Sequence, residues 1–342
     1  EKLQEAGLKV SHETLRRWML AAGLWSRTRK RSPHRQRRER KAHFGELVQL
    51  DGSFHAWYED RAPRGCLVTL VDDATSQTLG RLGAQETIWA AAAVVRRWIE
   101  EYGVPHALYT DWKNVYVRTP TAAEETAGTV PHTQFGRMCA TLGIQIIAAS
   151  SPQAKGRVER NHGTHQDRLV KKLRRLGIQD AAVANAFLEA TYLPEHNARF
   201  AQPAASAEDF HRRIPSARTL DAVFQLEETR VRSNDWVVRY ATRSFQLVRQ
   251  SCQPPARSTV VVREAPDGTI WMGTISGLRK LAQGIQGDPF LAPKTITDTN
   301  ISFLLQGRGG ELWIGTYGRG LMRRGSERVD RFSAPFTLPH DS

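Results

Sequence analysis

Short apolar runs alternate with amphipathic helical patterns through residues 46–176. Five runs of strand length occur in chain order, ELVQLD, CLVTLVDD, TLGRLGA, HALYTD and IQIIAAS. A helical period over residues 87–102 has a buried stripe, formed by Ala91, Val94, Val95, Trp98 and Ile99. Further helical patterns cover residues 133–142 and about 153–176. Three strands, a helix, and then strand, helix, strand and a long helix predict an α/β layer fold.

The first 45 residues follow two other patterns. Residues 1–25 place a turn at Gly7 and Ser11 at the start of a helix over residues 12–22. This helix fits the recognition helix of a partial helix-turn-helix, and it fits an ordinary amphipathic helix equally well. Residues 26–45 are predicted to be a basic linker, because residues 26–42 contain nine Lys or Arg and one acid, Glu39. Such a linker either contacts DNA phosphates, which we favour, or is only solvated.

The pattern changes twice more towards the C-terminus. Residues 181–224 are predicted to be a helical extension, so that the α/β core covers residues 46–224. Alternating runs then predict a small β-barrel-like module over residues 225–266. The motif DGTIWMGTISGL near residue 267 recurs as GGELWIGTYGRGL near residue 309, which is a spacing typical of propeller blades. Because a propeller needs about four to eight blades, residues 267–342 are predicted to be an incomplete propeller-like fragment.

The charge balance narrows the choice of partners. Lys and Arg number 49 against 35 Asp and Glu, and the net charge is +14. Such a balance favours a polyanionic partner, nucleic acid first and an anionic membrane second. The longest apolar run, residues 88–95, is far shorter than the roughly 20 residues of a membrane span. The opening EKLQEAG has no signal-peptide pattern. We therefore expect a cytoplasmic protein without a membrane partner.

The cysteines argue against one class of metal site. Cys66, Cys139 and Cys252 are scattered and show no CxxC spacing. They are typical of reduced, partly buried thiols, and a cysteine-based zinc site is not expected.

Three acidic residues are the candidate chemistry of the chain. Asp51 and Asp111 each close a short apolar run, and Glu159 lies in a basic stretch with a helical pattern. A hard divalent cation needs oxygen ligands from several chain segments. Taken singly, each acid is ordinary, since soluble chains often carry acids at strand ends; their contexts together favour a metal site. Asp72 and Asp73 are the main rivals, but acids between a strand and a turn are expected to cap the backbone.

Four motifs resemble those of a known family. They are LVQLDGSFHAW, LVTLVDDATSQTLG, ALYTDWKNVY and SPQAKGRVERNHGTHQDRLVKKL. On these motifs the chain resembles the integrase-type DDE transposases of bacterial insertion sequences, and within them the ISNCY-like group. The resemblance extends to about residue 265, and the last motif is the most specific.

The resemblance implies a fold, a chemistry and a partner. The fold is an RNase H-like core, with a mixed five-stranded sheet flanked by helices. Asp51, Asp111 and Glu159 would be the catalytic residues and the ligands of two Mg²⁺ ions, with Mn²⁺ as a substitute. One metal would activate the attacking water or 3′-hydroxyl, and the other would stabilise the leaving oxygen. The reactions would be cleavage at transposon ends and strand transfer into target double-stranded DNA, by a homo-oligomer at the bacterial nucleoid.

The basic residues are candidate DNA contacts. The predicted set is Arg16, Arg17, Arg29, Lys30, Arg31, Arg37, Arg38, Lys155, Arg157, Arg160, Arg168, Lys171 and Lys172. Lys155 lies four residues before Glu159 and either contacts phosphate or base or is a solvated helix start. His162 is expected to pack at the rim of the site. Part of the helix charge serves local pairing, since Asp167 precedes Lys171 by one turn.

The end of the chain departs from the family pattern. A transposase would continue its β module beyond VVVREAPDGTI, whereas here the propeller-like repeat follows, so we suspect a fusion junction at residues 264–271. The leading function is a Mg²⁺-dependent transposase. The alternative is a chimeric or truncated remnant that only binds DNA, and a propeller-based sensor is a third, weaker class.

Overall fold

The computed structural model describes residues 6–25, 38–126, 128, 131–149, 156–235, 237–246, 257–274, 277–281, 301–306, 312–316, 320–324 and 329–332. The chain divides into two compact units, Glu1–Arg38 and Glu39–Ser342.

The first unit contains helix α1, His12–Ala21. The Ser11 hydroxyl accepts a hydrogen bond from the Thr14 amide at 3.1 Å, which confirms Ser11 as the N-cap. Gly7 has a φ of +73°, so the predicted turn at this position is also present. Within residues 6–25, α1 is the one helix described, and the helix-turn-helix stays a prediction.

A mixed five-stranded sheet forms the centre of the second unit. Its strands are β1 (Leu47–His55), β2 (Gly65–Asp72), β3 (Thr78–Gly83), β4 (Ala107–Thr110) and β5 (Gln145–Ala148). The spatial order is β3-β2-β1-β4-β5. β1, β2 and β3 pair antiparallel, whereas β4 is parallel to β1 and β5 is parallel to β4. All five strands were predicted, and the sheet fits an RNase H-like α/β fold.

Helices cover both faces of this sheet because its central strands are apolar on both sides. In β2, Val68 and Leu70 face a core that includes the stripe of helix α2, Ile88–Tyr102. Leu67, which directly precedes Val68, faces a second core with Leu169 and Leu173. All five residues predicted for the stripe of α2 are buried, as the helical period requires.

The remaining helices complete these two layers. They are α3 (Ala122–Thr126), α4 (Gln134–Thr141), α5 (Gly156–Arg175), α6 (Ala181–Phe187), a π-helical turn (Leu188–Tyr192), α7 (Leu193–Phe200) and α8 (Ala217–Val223). α4 and α8 contribute to the core on the α2 side, and α5, α6 and the π-helical turn contribute to the other core. A 3-10 turn at Glu59–Arg61 follows β1.

A second sheet follows the helical extension. It consists of β6 (Leu226–Val231), β9 (Thr259–Glu264), β10 (Ile270–Thr274) and β11 (Gly277–Leu281), in the order β11-β10-β9-β6. A separate hairpin joins β7 (Val237–Tyr240) to β8 (Arg243–Gln246). The four-stranded sheet includes residues on both sides of the boundary predicted between 266 and 267, so that boundary does not coincide with a sheet edge.

The last described strands form one antiparallel sheet. Its strands are β12 (Ile301–Gln306), β13 (Leu312–Thr316), β14 (Gly320–Arg324) and β15 (Val329–Phe332), paired in sequence order. In both copies of the repeated motif, the strand that contains the tryptophan pairs antiparallel with the strand that follows it, β10 with β11 and β13 with β14. A propeller stays a prediction. Across the described part of the chain, no helix is long and apolar enough to cross a membrane.

Candidate active site

Strand pairing brings Asp51 and Asp111 to the same place. β1 and β4 are adjacent and parallel, with Leu47 opposite Ala107 and Gln49 opposite Tyr109. The same register, continued by two residues, places Asp51 beside Asp111, which directly follows β4. Two carboxylates from separate chain segments therefore meet at one edge of the sheet.

The side chain of Lys113 lies between these carboxylates. Its Nζ is 3.8 Å from Oδ1 of Asp51 and 3.3 Å from Oδ2 of Asp111. The Asp51 side chain is 15% exposed and that of Asp111 is 36% exposed. The two aspartates thus face one cation at the rim of the sheet, partly shielded from water.

Glu86 is a third carboxylate at this position, and the sequence analysis missed it. Its side chain is only 4% exposed. It accepts a hydrogen bond from Nζ of Lys113 at 2.7 Å and another from the hydroxyl of Tyr116 at 2.6 Å. Glu86 lies between β3 and α2, directly before Thr87, the N-cap of α2. No motif signals it, because its role depends on contacts with a residue 27 positions away.

A glycine makes room for this carboxylate. A Cβ atom at Gly52 would lie 2.5 Å from Oε2 of Glu86 and 2.9 Å from Sγ of Cys66. Gly52 follows Asp51 in β1, so the strand that carries the first predicted ligand also admits Glu86. The LDGS motif therefore contains a packing requirement in addition to the aspartate.

Burial and the acidic cluster shift the pKa values of neighbouring groups. Burial lowers the pKa of Lys113, but its hydrogen bond to Glu86 and the charges of Glu86, Asp51 and Asp111 outweigh that effect, and its pKa is raised. Burial, then the charge of Glu86, raises the pKa of Tyr116. Burial, with a further contribution from Glu86, raises the pKa of the Cys66 thiol to about 12. Lys113 is therefore a cation at neutral pH, and Tyr116 and Cys66 are neutral.

Helix α5 carries Glu159 and is anchored to the sheet in its first two turns. The Val158 amide donates to Oε1 of Gln49 at 3.2 Å. His162 makes a hydrogen bond of 2.8 Å with the Thr69 hydroxyl, and its Nδ1 is 3.8 Å from Oδ2 of Asp51. His162 is buried, as the prediction of a packing role requires. Glu159 lies one helical turn before His162 and is exposed.

The three predicted metal ligands are not drawn into one cluster. Among the described residues, no group of three or more His, Cys, Asp or Glu side chains is placed to hold a metal ion. The structure brings Asp51 and Asp111 together around Lys113, and it places Glu159 on the neighbouring helix.

Asp72 and Asp73 have the structural roles that were predicted. Asp72 is buried and accepts hydrogen bonds from the backbone and hydroxyl of Thr75 and from the Gly45 amide. Burial raises the pKa of Asp72, although these hydrogen bonds lower it. Asp73 accepts hydrogen bonds from Gln49 at 2.7 Å and from Arg157 at 2.8 Å. Both carboxylates are held by nearby donors, away from the Lys113 cluster.

The described basic residues differ in their contacts and in their exposure. Several are engaged within the protein: Arg157 pairs with Asp73, Lys171 with Asp167, Lys172 with Glu195, and Arg16 and Arg17 with Glu13, and Arg168 stacks over Phe200. Arg38 and Arg160 are exposed. Arg29, Lys30, Arg31, Arg37 and Lys155 lie outside the described residues. The pairing of Arg157 with a buried carboxylate favours a structural role for it; DNA contact stays a prediction for the set.

Histidines pack behind the site, between α5 and α7. The ring of His165 lies 4.5 Å from that of His196, and the hydroxyl of Tyr192 is 2.9 Å from Nδ1 of His165. Burial lowers the pKa of His165 well below its usual value. Burial, and then the charge of Arg168, lowers the pKa of His196 to about 4. Both imidazoles are therefore neutral at pH 7 and belong to the core.

The chain is similar to bacterial transposases. It is 43% identical over 215 residues, 62% of this chain and 46% of the relative, to "Putative transposase y4bF" of Sinorhizobium fredii (strain NBRC 101917 / NGR234). It is 32% identical over 238 residues, 69% of this chain and 50% of the relative, to the transposase for insertion sequence IS1202 of Streptococcus pneumoniae. The chain thus spans about half the length of these curated relatives. No protein-family model matches it.

Two solved structures with a similar course of the chain contain viral integrase proteins. The HTLV-2 integrase catalytic core domain in complex with magnesium, trimeric form, is 18% identical and matches 43% of this chain and 84% of its own, with a TM-score of 0.34. The simian T-cell lymphotropic virus intasome in complex with PP2A regulatory subunit B56 gamma is 14% identical. The match covers 90% of this chain and 87% of the other chain, with a TM-score of 0.34. The assignment of an RNase H-like sheet depends on the strand order and pairing of this chain.

Proposed function

We propose that this protein is a DDE-type DNA transposase, which cleaves phosphodiester bonds at the ends of an insertion sequence and transfers the strands into target DNA. The observation that carries the proposal is the meeting of Asp51, within β1, and Asp111, directly after the adjacent parallel strand β4, around one cation. The similarity to proteins named as transposases supports the same conclusion.

The residues of the site fit a hard divalent cation. Asp51 and Asp111 offer carboxylate oxygens from two strands, and carboxylates are the side chains that Mg²⁺ prefers. The ammonium of Lys113 stands where a cation between them is needed. Two Mg²⁺ ions, or Mn²⁺ in their place, would be held by Asp51, Asp111 and Glu159. Bound there, the metals would supply an activated hydroxyl nucleophile and charge stabilisation for the leaving oxygen.

The strands and the helix of the protein would fix the positions of the three candidate acids. Asp51 is held in β1 by its pairing with Thr69 of β2, and Asp111 directly follows β4, which is paired on both sides. Hydrogen bonds from Val158 and His162 to the sheet anchor the first two turns of α5, the helix that carries Glu159. The reaction needs no covalent link between enzyme and DNA, because a hydroxyl attacks the phosphorus directly. Positioning of the DNA phosphate is therefore the main task of the protein.

The proposed partner is double-stranded DNA, as transposon end and as target. Arg38 and Arg160, two exposed residues of the predicted basic set, are candidate contacts for the DNA phosphates. Two transposon ends must be joined in one event, so the active form would be a homo-oligomer on DNA, at the nucleoid of a bacterial cell. The net charge of +14 suits such a partner.

A second candidate function has an observation of its own. Among the described residues, no group of three acids or histidines is placed to hold a metal. This arrangement fits the alternative of a chimeric or truncated remnant that binds transposon ends and does not catalyse strand transfer.

Strand transfer on DNA that carries the element's terminal sequences, with Mg²⁺, tests both candidates. The intact chain is compared with Asp51→Asn and with a surface control, Asp60→Asn. We expect transfer by the intact chain and the control, and a loss of at least about 100-fold in Asp51→Asn, with DNA binding retained in all three. Equal transfer by Asp51→Asn would refute the assigned role. DNA binding without transfer by the intact chain would favour the remnant.

A further inference from the structure

Lys113 is bonded more closely to Glu86 than to the two predicted metal ligands. Its Nζ is 2.7 Å from Oε2 of Glu86, which is a hydrogen bond, but 3.3 Å from Asp111 and 3.8 Å from Asp51. The ammonium therefore has one direct bond to an acid outside the predicted triad, and it lies within ionic range of two acids inside the triad.

The two aspartates need a cation between them. Asp51 is largely buried and Asp111 is partly exposed, so water screens their mutual repulsion only in part. Lys113 supplies one positive charge at this point. A divalent cation bound to the same oxygens would supply two. Because the ammonium and the metal ion repel each other, they cannot both stay close to Asp51 and Asp111.

Glu86 is arranged to retain the ammonium by itself. Its carboxylate is buried, and the Tyr116 hydroxyl occupies its other oxygen at 2.6 Å. The absence of a side chain at Gly52 is what allows Glu86 to lie this close to β1. Glu86 thus gives Lys113 a fixed partner that does not depend on the aspartates.

We propose that Lys113 is the resident counter-cation of Asp51 and Asp111, and that a divalent cation displaces its ammonium from these aspartates onto Glu86. This inference rests on the proposed function, since it takes the aspartates to be metal ligands. Metal binding is then an exchange of one cation for another. Glu86 is a positioning residue, which lowers the cost of the exchange by holding the displaced ammonium.

The experiment measures Mn²⁺ affinity of the full chain without DNA, by electron paramagnetic resonance of the free ion. The variants are Lys113→Met, Glu86→Gln and the double variant. Lys41→Met and Glu100→Gln remove the same charges from other ion pairs, with Glu46 and Arg96, and serve as controls. Lys113→Gln removes the charge but keeps a hydrogen-bond donor for Glu86. It therefore shows whether a change seen in Lys113→Met comes from the lost charge or from altered packing.

We expect both Lys113 variants to bind Mn²⁺ at least about tenfold more tightly than the unmodified chain, since a nearby like charge is removed. Glu86→Gln should bind several-fold more weakly, because the ammonium then stays with the aspartates. When Lys113 is already methionine, Glu86→Gln should change the logarithm of the Mn²⁺ affinity by less than about half of the change that it causes in the unmodified chain. The two controls should not change the affinity.

The outcomes separate this inference from the proposed function. If Mn²⁺ binds and Asp51→Asn abolishes binding, but neither Lys113 variant binds more tightly, the exchange is refuted and the metal site stands. If Glu86→Gln weakens binding equally in both backgrounds, Glu86 is a metal ligand and its positioning role is refuted. If the unmodified chain and Asp51→Asn bind Mn²⁺ equally, the proposed metal site fails, and the inference fails with it.

Discussion

Replacing Arg157 by methionine tests whether this residue anchors helix α5 or contacts DNA. The guanidinium donates to Oδ1 of Asp73 at 2.8 Å, and the Asp73 side chain is 0% exposed. The same carboxylate accepts hydrogen bonds from Gln49 and from the Lys41 amide. Methionine keeps the apolar stem of the side chain and removes the charge, so the perturbation is confined to the ion pair.

The expected cost follows from the burial of Asp73. Removing one partner of a buried ion pair costs about 3–5 kcal/mol. Neutral donors stay on Asp73, which places the expected loss at the lower end, about 3 kcal/mol. Gln49 also accepts the Val158 amide, so the start of α5 should loosen at the same time. With a urea m-value of about 2–3 kcal/mol/M, the unfolding midpoint should fall by roughly 1–1.5 M.

Urea unfolding at pH 7, followed by circular dichroism, measures this loss. Arg160→Met is the matched control, since Arg160 lies on the same helix and is exposed; its stability should change by less than about 0.5 kcal/mol. Adding Asp73→Asn to Arg157→Met should restore part of the loss, because the buried group is then neutral. Equal midpoints for Arg157→Met and Arg160→Met, with weaker DNA binding in Arg157→Met, would refute the anchoring role.

Two further predictions concern the core of the site and its pH dependence. Gly52→Ala should destabilise the protein by about 1–3 kcal/mol through overpacking, because its Cβ would lie 2.5 Å from the Glu86 carboxylate; an unchanged melting temperature would contradict the packing. The pKa of His196 is about 4 in the folded protein, below the value of about 6.5 expected when unfolded. Protonation therefore favours the unfolded chain, and stability should be full above about pH 6.5 and fall by up to about 3 kcal/mol as the pH drops to about 4. The slope of the urea midpoint against pH should be shallower in His196→Asn, and an identical slope would show that His196 is not responsible.

The elements that were predicted well depend on neighbours in sequence. The run CLVTLVDD coincides with β2 within one residue, because a strand buried on both faces is apolar throughout. Ser11 caps α1 through a bond to a residue three positions away. The turn between β7 and β8 is harder to predict from the sequence. Ala241 and Thr242 both have positive φ, and the Gly or Asn that usually marks such a turn is not at these two positions.

The site was predicted in part for the same reason. Asp51 and Asp111 could be found because each ends an apolar run, and parallel pairing of β1 with β4 brings those ends together. Glu86 and Tyr116 could not be found in this way, because an acid in a loop and a tyrosine in a turn become partners only after the fold has formed. Arg157 was predicted as a DNA contact from charge alone, since its partner Asp73 is 84 residues away.

Strand β1, which carries Asp51, and helix α5, which carries Glu159, should differ in their resistance to local unfolding. β1 is hydrogen-bonded to β2 over residues 48–55 and to β4 over residues 47–49, so the amides of its buried first half should exchange with solvent only when the whole core unfolds. The first two turns of α5 are held by hydrogen bonds to the side chains of Gln49, Asp73 and Thr69, which can break while the sheet persists. The candidate acids thus lie in regions of different local stability. Mild denaturation should release Glu159 while Asp51 and Asp111 keep their places, so that the site can come apart and reassemble within a folded molecule.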